Sequence, residues 1–265
     1  MLELYHNDMA VCAAKVRLVL SEKGLPWTGH HLDLSAGETR SASYLKLNPA
    51  GVVPTLVDDG EVIVESTVIC EYLDDKWPSR ALKPAKPAHR ARMRLWTKQL
   101  DEGVHAATGA ITYCIAFREA HLDKSPEELA AFLANIPSPD QRERVASAVR
   151  LGMDAPQFGA SLKRFSKLFH DMAGALERGP WLAGYDYSLA DIAFTPYMTR
   201  LEHLGLEQLF HEHGRVADWA QRLKERPAYR PAIADWFNPR TLETMERTRH
   251  SVRNKLRSLL AVSKQ

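Results

Sequence analysis

The chain has 265 residues, 45% of them hydrophobic and 26% charged, which is the composition of a globular protein rather than a disordered or fibrous one. No apolar run reaches the roughly 18–20 residues of a membrane span, the first residues lack a secretory signal, and three scattered cysteines exclude a disulfide framework. We therefore expect a cytoplasmic protein that binds no membrane, and a net charge of only +2 does not suggest a nucleic-acid partner.

The first eighty residues alternate strand patterns with helical patterns. Strands are predicted over 2–5, 27–32, 55–58 and 61–64, and helices over 11–24, 38–47 and 66–77. The last two strands flank Asp59-Gly60, which is a strong signal for a hairpin turn. The resulting order, βαβαββα, predicts a small α/β layer built on a mixed sheet.

Two of these helices carry informative residue patterns. Val16 and Val19 lie on the apolar face of the first helix, and Lys15 and Arg17 are among its charges. In the third helix, Val68, Ile69, Tyr72 and Leu73 are predicted to face inward.

The chain beyond residue 78 is predicted to be helical. Residues 78–87 are rich in Pro, Ala and Lys, which is typical of a linker. No later stretch has a convincing strand pattern, and helices are predicted over 88–121, 157–178, 188–204, 214–226 and about 239–261. We therefore expect an α/β domain over 1–80 and an all-helical domain over 88–265.

Local signals refine this helical part. Ser188-Leu-Ala-Asp191 matches a capping box, which predicts a well-defined helix start. Gly103 and Gly109 are predicted to interrupt the long helix weakly. Residues 123–157 are predicted to be irregular because they contain four prolines, namely Pro126, Pro137, Pro139 and Pro156.

Two dipeptides of the α/β part suggest recognition of an amino-acid derivative. If the Val53–Pro54 bond is cis, the backbone of Val53 faces outward and can pair with an extended peptide. Ser66, as the N-cap of a helix, would place a hydroxyl and free N–H groups at a positive helix end, which suits a carboxylate. Glu65 beside it can take an ammonium group, although a capped helix with a solvated Glu explains the same pair.

Four segments together carry a resemblance to a known family: YHNDMAVCAAKVRLVLSEKG, YLKLNPAGVVPTLVDDG, VESTVICEYLDD and YSLADIAF. Their combination resembles the glutathione S-transferases. The resemblance implies a thioredoxin-like N-terminal domain, an all-α C-terminal domain, glutathione as co-substrate and a homodimer. It also implies that Val53 and cis-Pro54 hold the cysteinyl backbone of glutathione, and that Glu65 and Ser66 hold its γ-glutamyl end.

Two further residues take glutathione-binding roles by this resemblance. Arg40 falls where the family often has a cation that neutralises the glycine carboxylate, although solvation on a short helix also explains it. Asp101, on the long helix, would reach the glutathione amine bound to the partner subunit. An ion pair with His105, four residues later, is the alternative.

The group that stabilises the glutathione thiolate is left open. Family members use a Tyr, Ser or Cys after the first strand, but residues 6–13 contain no hydroxyl, and Tyr5 is interpreted as a core residue of the strand. Cys12 lies near a helix N-terminus, where a thiol pKa falls, but it also continues the buried face of that helix. Asn7, or the helix-end amides of Val11 and Cys12, are the other candidate donors.

Within the superfamily, the chain resembles the bacterial β-etherases of lignin breakdown. The similar segments are ESTVICEYL, MRLWTK and the insertion around residues 136–139. The implied reaction is attack of the glutathione thiolate on the β-carbon of a β-aryl ether ketone, with release of a phenolate. Met9, Tyr113 and Phe117 are candidates for the aromatic-substrate pocket, and core packing is the alternative for the last two.

Other signals point to no separate function. His30-His31 and His211-Glu-His213 lack further ligands at metal-binding spacing, so no metal site is predicted. Residues 240–265 carry a net charge of +5, which a solvated tail helix or an anion-binding surface can explain. Two rival functions remain: a thiol–disulfide or deglutathionylating enzyme that uses Cys12 covalently, and a non-catalytic binder of hydrophobic ligands.

Overall fold

The computed structural model describes residues 1–136 and 138–262. Pro137 of the insertion and Lys264 of the basic tail lie outside the described residues. The chain forms two compact units. The first comprises Met1–Lys98, Ala175–Met198 and Asp218–Asn238, and the second Gln99–Gly174, Thr199–Ala217 and the chain from Pro239 onward. The division into domains at 1–80 and 88–265 stays a prediction.

A four-stranded mixed sheet forms the centre of the α/β part. The strands are β1 (Leu2–His6), β2 (Thr28–His31), β3 (Thr55–Asp58) and β4 (Glu61–Val64), in the order β2-β1-β3-β4. β1 pairs parallel with β2 and antiparallel with β3, as a strand–helix–strand unit followed by a hairpin requires. Asp59 and Gly60 turn the hairpin with positive φ angles of 50° and 95°. These strands confirm the predicted βαβαββα order.

Three helices accompany the sheet: α1 (Val11–Lys23), α2 (Ala42–Leu47) and α3 (Ser66–Lys76). α1 ends at Gly24, whose left-handed conformation lets its N–H bond the carbonyl of Ser21. α1 packs against α3, where Ile69 and Leu73 are buried. Val68 is 55% exposed, so the inward orientation predicted for it is wrong. It is adjacent to Ile69, about 100° away around the helix, and therefore lies on a different face.

The remaining described residues form helices and turns, with one isolated bridge between Trp181 and Gly184. A π-helical turn over Leu100–Val104, which contains Gly103, joins the first two of these helices, whereas Gly109 lies inside a continuous helix. The helices are α4 (Pro87–Gln99), α5 (His105–Ile115), α6 (Pro126–Ala134), α7 (Pro139–Leu151), α8 (Pro156–Leu176), α9 (Leu189–His203), α10 (Gln208–His211), α11 (Gly214–Lys224), α12 (Tyr229–Ala232) and α13 (Pro239–Val262).

The expectation of an irregular segment over 123–157 is wrong. α6 and α7 each begin with a proline, which needs no hydrogen-bond partner for the first turn and has a helical φ already fixed. Ser125 and Ser138 precede these prolines and cap the helices, since each side chain accepts a backbone N–H from the first turn. The Ser-Pro pairs therefore start helices rather than interrupt them.

The predicted capping box at the start of α9 is part of a larger buried network. Asp191 accepts hydrogen bonds from the backbone N–H and the hydroxyl of Ser188, at 3.0 and 3.1 Å. Its other oxygen accepts the N–H of Leu182 at 3.0 Å and the indole N–H of Trp219 at 2.9 Å. Burial raises the pKa of Asp191, and these four donors oppose that rise. One carboxylate thus joins α9 to α11 and to the preceding loop.

We expect Asp191→Ala to lower the free energy of unfolding by about 3 kcal/mol, because it leaves several buried donors without an acceptor. Urea unfolding followed by circular dichroism measures this loss. Asp186→Ala, which removes an exposed carboxylate from the same loop, is the matched control and should change stability by less than about 0.5 kcal/mol. Equal effects of the two substitutions would contradict a structural role for the network.

Candidate functional site

The loop that leads into β3 is fixed from within the α/β part. The hydroxyl of Tyr44 and the side-chain amide of Asn48 both donate to the carbonyl of Val52, at 2.6 and 2.9 Å. Asn48 also donates to the hydroxyl of Thr55 at 3.1 Å. The Val53–Pro54 bond is cis. Within the described residues, no hydrogen bond uses the backbone N–H or C=O of Val53, so the peptide pairing predicted for Val53 stays a prediction that these two groups could serve.

Arg40 lies against this loop. It ends the short helical turn Glu38–Arg40, and its side chain covers Gly51. Gly51 has a φ of 62°, and a β-carbon there would come within 3.0 Å of the guanidinium of Arg40 and of the carbonyl oxygen of Thr39. The glycine therefore permits both the turn and the close approach of Arg40. The structure brings Arg40 and the Val53 loop together, which the sequence separates by a dozen residues.

The start of α3 differs from the prediction. Glu65, not Ser66, is the N-cap residue, and Ser66 is the first residue of the helix. Glu65 has φ 66° and ψ 110°, a conformation that a non-glycine residue adopts at a cost of about 1–3 kcal/mol and that is typical of functional sites. Its side chain does not cap the helix. Ser66 is buried at a positive helix end, beside the exposed carboxylate of Glu65.

α1 also begins without a capping side chain. Its N-cap residue is Ala10, and its first turn contains no acidic residue. Cys12 is the second residue of the helix and is partly exposed. Its sulfur lies 3.6 Å from the hydroxyl of Tyr197, which is buried in α9. Cys12 is therefore neither a plain core residue nor an isolated surface thiol, and the nucleophile-stabilising role predicted for it stays a prediction.

Asn7 holds the loop between β1 and α1. Its amide donates to the carbonyl of Leu32 at 3.0 Å, and its side-chain oxygen accepts the N–H of Met9 at 3.1 Å. Asp8 accepts a hydrogen bond from the side chain of Asn238 at 3.0 Å. These contacts give Asn7 a structural task in addition to the donor role predicted for it.

A buried arginine organises the same loop. The guanidinium of Arg17 donates to the carbonyls of Asn7 and Asp8, both at 2.9 Å, and to that of Ala232 at 2.8 Å. It also contacts Nδ1 of His6 at 3.2 Å. Because a guanidinium only donates, this ring nitrogen accepts, and the imidazole proton lies on Nε2.

Burial sets the charges of this pair. It lowers the pKa of Arg17 to about 10 and that of His6 to about 4, the latter with help from the charges of Arg17 and His31. At neutral pH the guanidinium is thus charged and the imidazole neutral. Sequence reasoning counted Arg17 only among the helix charges, and no local signal marked its burial.

The candidates for an aromatic pocket fall in both units. Met9 belongs to the first unit, where its sulfur accepts the N–H of Asn238 at 3.4 Å. Tyr113 and Phe117 belong to the second unit and pack edge to face, with ring centroids 5.6 Å apart. This pair continues into His121 and Phe132, whose rings stack at 4.1 Å.

Sequence reasoning missed His121 and Phe132. Phe132 lies in the helix α6 that was predicted to be irregular. Burial raises the pKa of Tyr113, so its hydroxyl stays protonated at neutral pH. The pocket role of Met9, Tyr113 and Phe117 stays a prediction.

The other predicted features are placed as follows. Asp101 is exposed on the π-helical turn of the second unit, and its role toward a partner subunit stays a prediction. No group of His, Cys, Asp and Glu side chains in the described residues could hold a metal ion. No described helix is both long enough and apolar enough to cross a membrane.

Comparison with known proteins identifies the family of this chain. Residues 11–76 match the N-terminal domain of the glutathione S-transferases, and residues 119–227 match their C-terminal domain. Protein LigF of Sphingobium sp. (strain NBRC 103272 / SYK-6) is 31% identical over 236 residues, which cover 86% of this chain and 91% of LigF. Glutathione S-transferase TCHQD of Arabidopsis thaliana is 26% identical over 271 residues, which cover 98% and 99% of the two chains.

A solved structure extends the likeness to three dimensions. The crystal structure of β-etherase LigF from Sphingobium sp. strain SYK-6 matches with a TM-score of 0.77 and 31% identity, covering 87% of this chain and 98% of LigF. The predicted fold, a thioredoxin-like α/β domain joined to an all-α domain, is thereby confirmed. The chain belongs to the glutathione S-transferase family.

Proposed function

We propose that this protein activates glutathione as a thiolate nucleophile and uses it to cleave β-aryl ethers of lignin-derived aromatic compounds. The family uses glutathione as co-substrate. The observation that carries the finer proposal is the similarity to a β-etherase over most of both chains. The open ends of α1 and α3, the Val53 loop and Arg40 together form the binding half of this mechanism.

Glutathione binding follows from the residues of the first unit. The backbone of Val53 pairs with the cysteinyl residue of glutathione, and the first turn of α3 with Ser66 receives the γ-glutamyl carboxylate. Glu65 takes the ammonium group, and Arg40 neutralises the glycine carboxylate. These contacts orient the tripeptide so that its sulfur lies toward the start of α1.

The reaction is a nucleophilic displacement. The thiolate attacks the carbon that bears the aryloxy group, a C–S bond forms, and the electron pair of the broken C–O bond leaves with the phenolate. The adjacent ketone of the substrate activates this carbon. The protein supplies orientation, which can contribute several kcal/mol, and stabilises the thiolate through the uncapped amides of α1.

Incubation with glutathione and a racemic, fluorogenic β-aryl ether ketone tests this proposal. We expect phenol and glutathione thioether to form in equal amounts. Fluorescence measures the phenol, and mass spectrometry measures the thioether. Ser66→Ala should lower kcat/KM for glutathione by about tenfold through the loss of one hydrogen bond to a charged group. Ser43→Ala, an exposed serine on α2, is the matched control. Measurable glutathione binding without phenol release would contradict etherase activity and favour the ligand-binder alternative.

A second candidate function rests on Cys12. Its position at a helix N-terminus, its partial exposure and its contact with Tyr197 suit a reactive thiol. In this alternative the Cys12 thiolate attacks the glutathione sulfur of a glutathionylated substrate, forms a mixed disulfide with glutathione and releases the substrate as a thiolate. A glutathione thiolate then attacks this mixed disulfide, forms glutathione disulfide and releases the Cys12 thiolate.

Cys12→Ala separates the two candidates. Under the displacement mechanism we expect this variant to keep at least a tenth of the etherase rate, because Cys12 forms no bond to substrate. Under the disulfide mechanism, mass spectrometry detects glutathione attached to the wild-type protein, and the variant loses both adduct and activity. Cys114→Ala, which removes a buried thiol of the second unit, serves as the control.

We also propose that the protein is a homodimer, as is typical of the family. Exposed apolar side chains of the first unit support this: Val68 on α3 is 55% exposed and Leu95 on α4 is 61% exposed. An ion pair at 2.7 Å between Glu71 of α3 and Arg94 of α4 joins the two helices. Val68 and Leu95 therefore lie on one connected surface. Asp101 would then act toward glutathione bound to the partner.

The double substitution Val68→Glu and Leu95→Glu should convert the dimer to a monomer, because it places charges in an apolar contact. Analytical ultracentrifugation measures the change. Leu151→Glu, at a leucine of the second unit that is 49% exposed, is the control and should leave the mass unaltered. A wild-type protein that sediments as a monomer at micromolar concentration would contradict the proposal.

A further inference from the structure

Helix α1 buries three cationic side chains, and two of them are fully provided with partners. Lys23 forms an ion pair with Asp74 at 2.6 Å and donates to the carbonyl of Trp77. Arg17 donates to three backbone carbonyls. The third cation, Lys15, is only 1% exposed and has no such set of partners.

The surroundings of Lys15 are nearly neutral. Its ammonium lies 3.4 Å from the hydroxyl of Thr67, in the first turn of α3, and 5.9 Å from the ring centre of Tyr197. Both contacts are weak for a charged donor. Among the described residues, no carboxylate pairs with this ammonium.

The acidic residues on the neighbouring helix α3 are already engaged. Glu71 pairs with Arg94, Asp74 with Lys23, and Asp75 with Lys83. On the other packed helix, α12, the charged residue is Arg230, which pairs with Asp235. Neither α3 nor α12 therefore offers Lys15 a counter-charge.

A buried ammonium without a counter-charge is costly, by several kcal/mol in proteins. A methionine of similar length would avoid this cost, so the position calls for a reason other than stability. The reason lies in the place of the charge. Lys15 follows Cys12 by one turn of α1 and contacts Thr67, the neighbour of Ser66, so it lies behind both uncapped helix starts.

We propose that Lys15 is a positioning residue for bound glutathione, whose positive charge stabilises the thiolate and the γ-glutamyl carboxylate without contacting either. It takes the place of the hydroxyl that the loop before α1 lacks. The ammonium adds its field to those of the two helix starts, and glutathione supplies the anion that completes the pair. This inference rests on the proposed use of glutathione, but it is independent of the electrophile.

The pKa of the bound glutathione thiol measures the effect of the positive charge of Lys15. The thiolate absorbs in the ultraviolet, so a pH titration of saturating glutathione on the protein gives the pKa of the bound thiol. We expect that pKa to lie below that of free glutathione in the wild type, and to rise by about one unit in Lys15→Met. Activity of the variant should be about tenfold lower at pH 6.5 and should approach the wild-type rate at high pH.

A second measurement separates this role from a structural one. Without glutathione, Lys15→Met should unfold in urea at the same or a higher concentration than the wild type, since a buried charge is replaced by an apolar chain. Lys15→Arg should retain the lowered thiol pKa. Lys86→Met, at an exposed lysine of the linker, is the control and should change neither quantity.

Two results would overturn the inference. One is a Lys15→Met variant that still binds glutathione with an unchanged pKa of the bound thiol. This result would leave the proposed function intact. The other is a variant that is less stable and loses the same fraction of activity at every pH, as a purely structural lysine requires. Failure of the wild type to bind glutathione would overturn the proposed function and this inference together.

Discussion

The conformation of the loop between β1 and α1 depends on one buried guanidinium. Arg17 bonds three backbone carbonyls, two of them in that loop, and the negative charge of Asp8 also favours its charged form. The neutral imidazole of His6 accepts a further hydrogen bond from Arg17 at Nδ1. Because each carbonyl has a fixed direction, the planar fork of Arg17 admits few loop conformations. The start of α1, where the thiolate is proposed to lie, directly follows this loop and is therefore held in a fixed position.

The helix starts of this protein fall into two groups. α6, α7 and α9 are capped by side chains of the chain itself, through Ser125, Ser138 and Asp191. α1 and α3 begin at Ala10 and Glu65, neither of which caps its helix. A helix end without a protein acceptor keeps its N–H groups and its partial positive charge available for a ligand. α5, α10 and α12 also begin without a capping side chain, so a missing cap alone does not mark α1 and α3 as the helices proposed to hold glutathione.

Much of the fold could be predicted from the sequence, because strand alternation, the Asp59-Gly60 turn and helical periodicity are local signals. Errors arose where one residue type has two uses. Pro126 and Pro139 were interpreted as helix breakers, but a proline after a serine also starts a helix. Ser66 was expected to cap α3, but the strained Glu65 holds that position.

The candidate site was predictable to a smaller degree. The chain segments around Val53, Glu65 and Arg40 carry recognisable motifs, so it could be expected that these segments lie near one another in the fold. The burial of Arg17 could not, because it depends on carbonyl partners from separate parts of the chain. Ala232 lies more than two hundred residues from Arg17.

The contact between Arg40 and Gly51 has an evolutionary consequence. A side chain at position 51 would occupy the space that the guanidinium now fills, and the left-handed backbone there favours glycine in any case. A descendant with a side chain at 51 would have to displace the guanidinium of Arg40 and strain the backbone, and it would thereby disturb the cation proposed for the glycine carboxylate. Selection that keeps Arg40 in its present position should therefore also keep glycine at position 51.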